Sequence, residues 1–190
     1  MQDVTELPSR MLRAAMVCVS DNDSRPALTA VHITPEVIEA SNGHVAVRMQ
    51  HGVQCEHNIT VVFMGKIPGT AEVTHIRLTG NPVAEHYRKG VLVGATACQV
   101  LDTVWPSQAV DANIPAVTTQ ELVTVVTRYL AYPDKMFGTG AKRKSVGVAV
   151  CPGKSGGAVR FRFDKETDAL FGHPVFIIMP CRYDGETGLE

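Results

Sequence analysis

Nothing in this sequence reads as a membrane span, a secretory leader or a paired-cysteine framework. No stretch approaches the roughly 18 unbroken apolar residues that a membrane helix needs. The N-terminus, MQDVTELPSR, places two acids before its first base and has no apolar core, so a secretory signal is not expected. The five cysteines, at 18, 55, 98, 151 and 181, are odd in number and never form a C-x-x-C pair. They read as reduced thiols of an intracellular protein, most of them core filler. An excess of charge is also missing. The net charge of −1 supplies no bulk attraction for a nucleic acid, so a local basic surface would have to meet any such partner. Aromatics make up only 6%, with a single tryptophan, Trp105, which reads as core and not as a platform for base stacking.

What the chain does have is a globular balance: 45% hydrophobic and 19% charged residues over 190 positions, enough for one substantial core. A soluble, cytoplasmic protein is the expectation.

Two segments carry helical periodicity. The first begins near Leu7, where Met11, Leu12, Ala15, Met16 and Val19 repeat on one face and leave Arg10 and Arg13 outside it. The polar run from Ser20 to Ser24 stops it. The second opens on a capping box formed by Thr118 and Glu121, with Val117 and Leu122 as the hydrophobic staple. Leu122, Val125, Val126 and Tyr129 form its buried stripe. Thr124, Thr127 and Arg128 fall outside, and Pro133 is expected to end it.

Most other apolar runs are β-rich: 27–33, 37–40, 44–49, 59–64, 73–78, 91–101, 146–151, 158–163 and 175–179. Asn42-Gly43 between two of them signals a hairpin. The stretch 131–145 reads as loop, and Asp164, Glu166 and Asp168 read as a solvated hairpin end. The order of helix, strands, helix, strands predicts an α+β fold, with two helices on a mostly antiparallel sheet and one domain over residues 1–190.

This layout and two local motifs resemble the bacterial DNA polymerase sliding clamps. A domain of that family is a pseudo-repeat of helix plus strands, here about 5–115 and about 116–183. Residues 10–49 are similar to its first half, with Ser41-Asn42-Gly43-His44-Val45-Ala46 at the place of a T-D-G-H-R-L-like loop. Gly43 and His44 match, whereas Asn42 replaces the acid and Val45 the arginine. The stretch "ANIPAVTTQELVTVVTRYL" resembles the strand that runs into the family's second helix. The ending from Val175 to Arg182 resembles the V-V-M-P-M-R that closes a clamp's last strand.

The resemblance implies a non-catalytic processivity subunit of DNA replication that needs no cofactor. Its helices would present Arg10, Arg13 and Arg128, with Lys142, Arg143 and Lys144 on the following loop, to the backbone of double-stranded DNA. Met179, Pro180, Cys181 and Arg182, with Gly43 and His44, would form a cleft for short peptide motifs of a DNA polymerase or another replication protein. A ring of this family has six domains, so one-domain chains would form a homo-oligomer of six. A phage-type or accessory homologue that serves as an adaptor, binding a protein without encircling DNA, is the alternative.

Residues able to carry chemistry do not assemble into a motif. Gly153-Lys154-Ser155 lacks the P-loop glycine, because position 148 is Val. His51, Cys55 and His57 could offer three metal ligands but match no established zinc spacing. Ser41 and His44 share a tight turn with no acid to orient them.

Overall fold

The computed structural model describes residues 4–56, 58–106, 111, 114, 124–138, 146–153 and 157–181. Among the described residues, eleven strands form one continuous antiparallel sheet. In chain order they are β1 (Val4–Pro8), β2 (Val31–Ile33), β3 (Val37–Ser41), β4 (Val45–Gln50), β5 (Ile59–Phe63), β6 (Val73–Arg77), β7 (Val83–Arg88), β8 (Val91–Leu101), β9 (Val148–Pro152), β10 (Val159–Phe163) and β11 (Val175–Ile178). Their spatial order is β1-β6-β7-β8-β5-β2-β3-β4-β11-β10-β9, which leaves β1 and β9 at the two ends among the described strands. The late strand β11 sits directly against the early strand β4, with Val45 opposite Ile178.

Strand alternation builds two faces. Val45, Val47 and Met49 of β4 join Phe176 and Ile178 of β11 in the main core, beneath Leu12 and Ala15 of helix α1 (Ser9–Met16). Each fully buried side chain of the Leu, Ile or Phe class there contributes roughly 1.5–3 kcal/mol relative to exposure. The intervening residues Ala46 and Ile177 point the other way and, with Ala158, form a second small cluster.

Several expectations are corrected. Residues 27–33 are not one strand: a 3-10 turn occupies Pro26–Thr29, where Pro26 presets the first dihedral, and β2 follows. Pro133 does not end a helix. A 3-10 turn at Thr127–Ala131 runs into helix α2 (Tyr132–Phe137), whose first turn holds Pro133, the place where a missing N–H costs nothing. Part of the stretch read as loop is thus helix, packed on α1. The capping box at Thr118 and Glu121 lies outside the described residues. The acidic residues after β10 form helix α3 (Lys165–Leu170), with Asp164 as the N-cap accepting a 2.8 Å bond from the Thr167 amide. Strands β1 and β7 had no counterpart in the sequence reading, because Val4–Pro8 and Val83–Arg88 are short and half polar.

Candidate partner-binding groove and basic face

The β3/β4 hairpin is built by local hydrogen bonds. Asn42 Oδ1 accepts from the amides of His44 and Val45, both at 3.0 Å, and Ser41 Oγ donates to the Val45 carbonyl at 2.8 Å. An amide oxygen therefore fills the acceptor role that an acid at 42 would have served. Gly43 takes φ +83°, a region closed to most side chains. Its open side is filled by Arg25: an added Cβ would lie 3.0 Å from Nη2 of that guanidinium. Arg25 in turn is clamped by Asp23, whose carboxyl it holds down to about pKa 2.

The hairpin meets the end of β11. The Met179 amide donates a 2.7 Å bond to the His44 carbonyl, and the Cys181 amide donates 2.8 Å to the Thr124 carbonyl. Between the hairpin and the strand end lies an open apolar groove of about 630 Å³. Ala46, Ile177 and Met179 line it from the sheet, and Leu28 and Val45 from the hairpin side. Arg25 is its cationic rim, and residues 103, 104 and 106 form the opposite wall. His44, exposed beside the groove, stacks on the buried ring of Tyr129 at 5.7 Å.

The candidate residues thus divide. Gly43, His44 and Met179 converge, with Pro180 and Cys181 half-buried directly after Met179. Arg182 lies outside the described residues, as do Lys142, Arg143 and Lys144. Arg10 is exposed on α1. Arg13, on the same helix, turns inward and donates to the carbonyls of Pro68 at 2.8 Å and Ala71 at 3.1 Å. Burial, then the nearby Arg10 charge, lower its pKa. Arg128 lies over the Tyr129 ring at 4.8 Å and donates to its hydroxyl at 2.7 Å, which places it by His44. Sequence reasoning missed Arg25, Leu28 and Tyr129 as groove neighbours. The one available signal was Arg25-Pro26, directly after the polar run from Ser20 to Ser24.

The discounted residues have structural partners. His51 Nε2 bonds the Thr34 carbonyl oxygen at 2.9 Å, Cys55 is buried, and His57 lies outside the described residues. Among the described residues no three His, Cys, Asp or Glu side chains gather as a metal site, and no helix is long and apolar enough to cross a membrane.

No protein-family model and no curated protein matches the chain. Solved structures do. The DNA polymerase III β subunit of Borrelia burgdorferi superposes with TM-score 0.63 at 9% identity, over 95% of this chain and 64% of that one. The DNA polymerase sliding clamp of Bacillus subtilis gives 0.56 at 13% identity, with the same coverage. A DNA polymerase III β subunit from Eubacterium rectale gives 0.58 at 13%, over 96% and 66%. The chain therefore spans just under two thirds of the length of the first two clamps. At such identities what is shared is architecture, and this chain has the α+β fold of the bacterial DNA polymerase sliding clamps.

Proposed function

We propose that this protein is a non-catalytic, clamp-like replication subunit that grips a short peptide motif of a DNA polymerase or another replication protein. The observation that carries the reading is the groove. In a chain with the clamp fold, the hairpin at Gly43 and His44 and the strand end at Met179 meet around a mostly apolar groove of about 630 Å³. Such a groove suits apolar side chains of an extended peptide, and its volume lies in the range of small-ligand sites. Arg25 at the rim, though paired with Asp23, keeps N–H donors for a polar or acidic group beside the apolar anchors.

Selection of a random heptapeptide display library on the protein tests this. Enrichment of peptides with paired apolar residues, lost on Met179→Asp, is the expected result. An equal yield from both proteins would refute the groove as a peptide site.

DNA contact and self-assembly belong to the same reading. Arg10 is the exposed cation on the helix face. The two sheet edges, β1 and β9, could join between copies, since each pairs on one side only among the described strands. A six-domain ring would take six copies if each supplies one domain, or three if the 64% share reflects two. The adaptor reading, a protein-binding clamp fold that does not encircle DNA, also has support. Arg13 is spent on backbone carbonyls, Arg128 on Tyr129, and the net charge is −1. Light scattering separates the two, because a strict monomer of 20.5 kDa excludes the self-assembled ring.

A further inference from the structure

The groove's outer wall is held by residues that do not line it. On the sheet face away from α1, alternation places His32 of β2, Glu39 of β3, Arg48 of β4 and Thr60 of β5, all flanked by core residues that point the other way. Polar residues on a free sheet face would be solvated. Here His32, Glu39 and Thr60 are buried, Glu39 to 1% exposure. Trp105 covers His32, its ring lying parallel to the imidazole at 5.4 Å with 8° between the planes. His32 is itself fixed by a 3.0 Å hydrogen bond between its Nδ1 and Thr60 Oγ1. Five residues beyond Pro106 the chain is tied again, where Arg48 bridges the buried Glu39 and the exposed Asp111. The residues on either side of Trp105 are the wall: Thr103, Val104 and Pro106 face the groove.

We propose that Trp105 and His32 are positioning residues for the groove, setting its width by pinning this wall to the sheet, with Asp111 on Arg48 as a second pin. The inference rests on reading the groove as a binding site. Trp105 is 7% exposed, yet its indole N–H has no hydrogen-bond partner among the described residues. An unsatisfied buried donor offsets much of what the aromatic stack gains. Val104, 90% exposed, shows how little else of the wall is packed.

Trp105 is the only tryptophan, so its emission reports on the wall directly. The probe is anilinonaphthalene sulfonate, an apolar ring with an anionic group that matches the apolar floor and Arg25. In the unmodified protein its binding should quench Trp105 by energy transfer and should be abolished by Met179→Asp. Titrated by the probe's own emission, which needs no tryptophan, Trp105→Ala and His32→Ala should each weaken probe binding about two- to tenfold, the factor a stack of this kind is worth. Trp105→Phe and His32→Phe should stay within about twofold of the parent, because they keep the stack. Thermal melting checks that each variant is folded. Should the alanine variants at 32 and 105 not fold, Asp111→Ala decides alone, since that side chain is exposed and its loss leaves the core intact. Folded alanine variants that bind like the parent overturn the pin while leaving the groove standing. Probe binding that survives Met179→Asp removes the groove and the pin together.

Discussion

The amide of Met179 donates a 2.7 Å hydrogen bond to the carbonyl of His44, joining residues 135 positions apart. That bond extends the β4/β11 ladder by one step and brings the G-H hairpin and the M-P strand end to the same groove. Both walls come from one chain because β11 returns to pair with β4 in the middle of the sheet.

Met179 and Ile177 should therefore separate binding from folding. Met179 is only half-buried, so Met179→Asp is expected to weaken a selected peptide by at least about tenfold while moving the melting temperature little. Ile177 is buried, and Ile177→Ala should cost about 2–4 kcal/mol of stability as well. Titration calorimetry and urea unfolding together read both effects.

Two glycines should differ in severity. Gly43→Ala forces a side chain into positive φ and against Arg25, a flexible neighbour; a cost of about 1–2 kcal/mol is expected, read from urea unfolding. Gly172 has φ +62°, and an added Cβ would sit 1.7 Å from the Gln50 carbonyl oxygen, which is backbone, held close because the Gln50 amide donates a 2.8 Å bond to the Gly172 carbonyl. Gly172→Ala should fail to give soluble folded protein.

The two arginines of α1 should part ways. If the exposed Arg10 meets DNA phosphate, Arg10→Ala lowers the slope of log affinity against log salt by about one unit and leaves stability unchanged. Arg13→Ala should instead lower stability, because the carbonyls of Pro68 and Ala71 lose their donor. Fluorescence anisotropy on duplex DNA at several salt concentrations, beside thermal melting, checks both. An Arg13 variant that loses DNA affinity without losing stability would reverse this assignment.

His86 predicts an acid-side loss of stability. It is fully buried in β7, with Nδ1 bonded to Thr74 Oγ1 at 3.0 Å and Nε2 to Thr96 Oγ1 at 2.8 Å. Burial first, then the nearby Arg13 charge, lower its pKa from 6.5. His32 is lowered too, mainly by burial, with Glu39 opposing. For both, the unfolded chain binds a proton that the folded chain refuses, so stability is fully present above pH 6.5 and falls as pH drops toward the folded pKa. Unfolding free energy measured from pH 7.5 to 5 should show this decline, and His86→Gln should flatten part of it. A parent protein equally stable at both ends would contradict the prediction.

The edges of the sheet predict the assembly state. If copies join through β9, where Val148 and Val150 are exposed, then Val150→Lys should shift the solution mass toward the 20.5 kDa monomer. The same mass for both proteins at every concentration would exclude that edge from assembly.

Local rules read this chain well wherever a signal was confined to a few residues. The stripe of α1, the Asn42-Gly43 hairpin and the long β8 at Val91–Leu101 were legible because side-chain period and turn chemistry act over short spans. The same rules misread Pro133, because a proline that cannot continue a helix is equally suited to begin one. They also misread the acidic run after β10, since an N-cap and a solvated turn share a composition. Arg13 stood outside the apolar stripe, yet it caps carbonyls of a loop 55 residues away.

What the sequence determined by itself is the alternation in β4 and β11, and hence that each would present one face of Val, Met, Phe and Ile to a core. Which strand lay next to which was decided only by tertiary structure, since antiparallel pairing over 130 residues depends on the whole sheet closing around α1 and α2. That pairing set Met179 beside His44, made Arg25 the rim of a groove, and buried His32 beneath Trp105. Contacts between residues so far apart leave no period or spacing in the chain, because the free energy that selects them belongs to the packed sheet and not to any local segment.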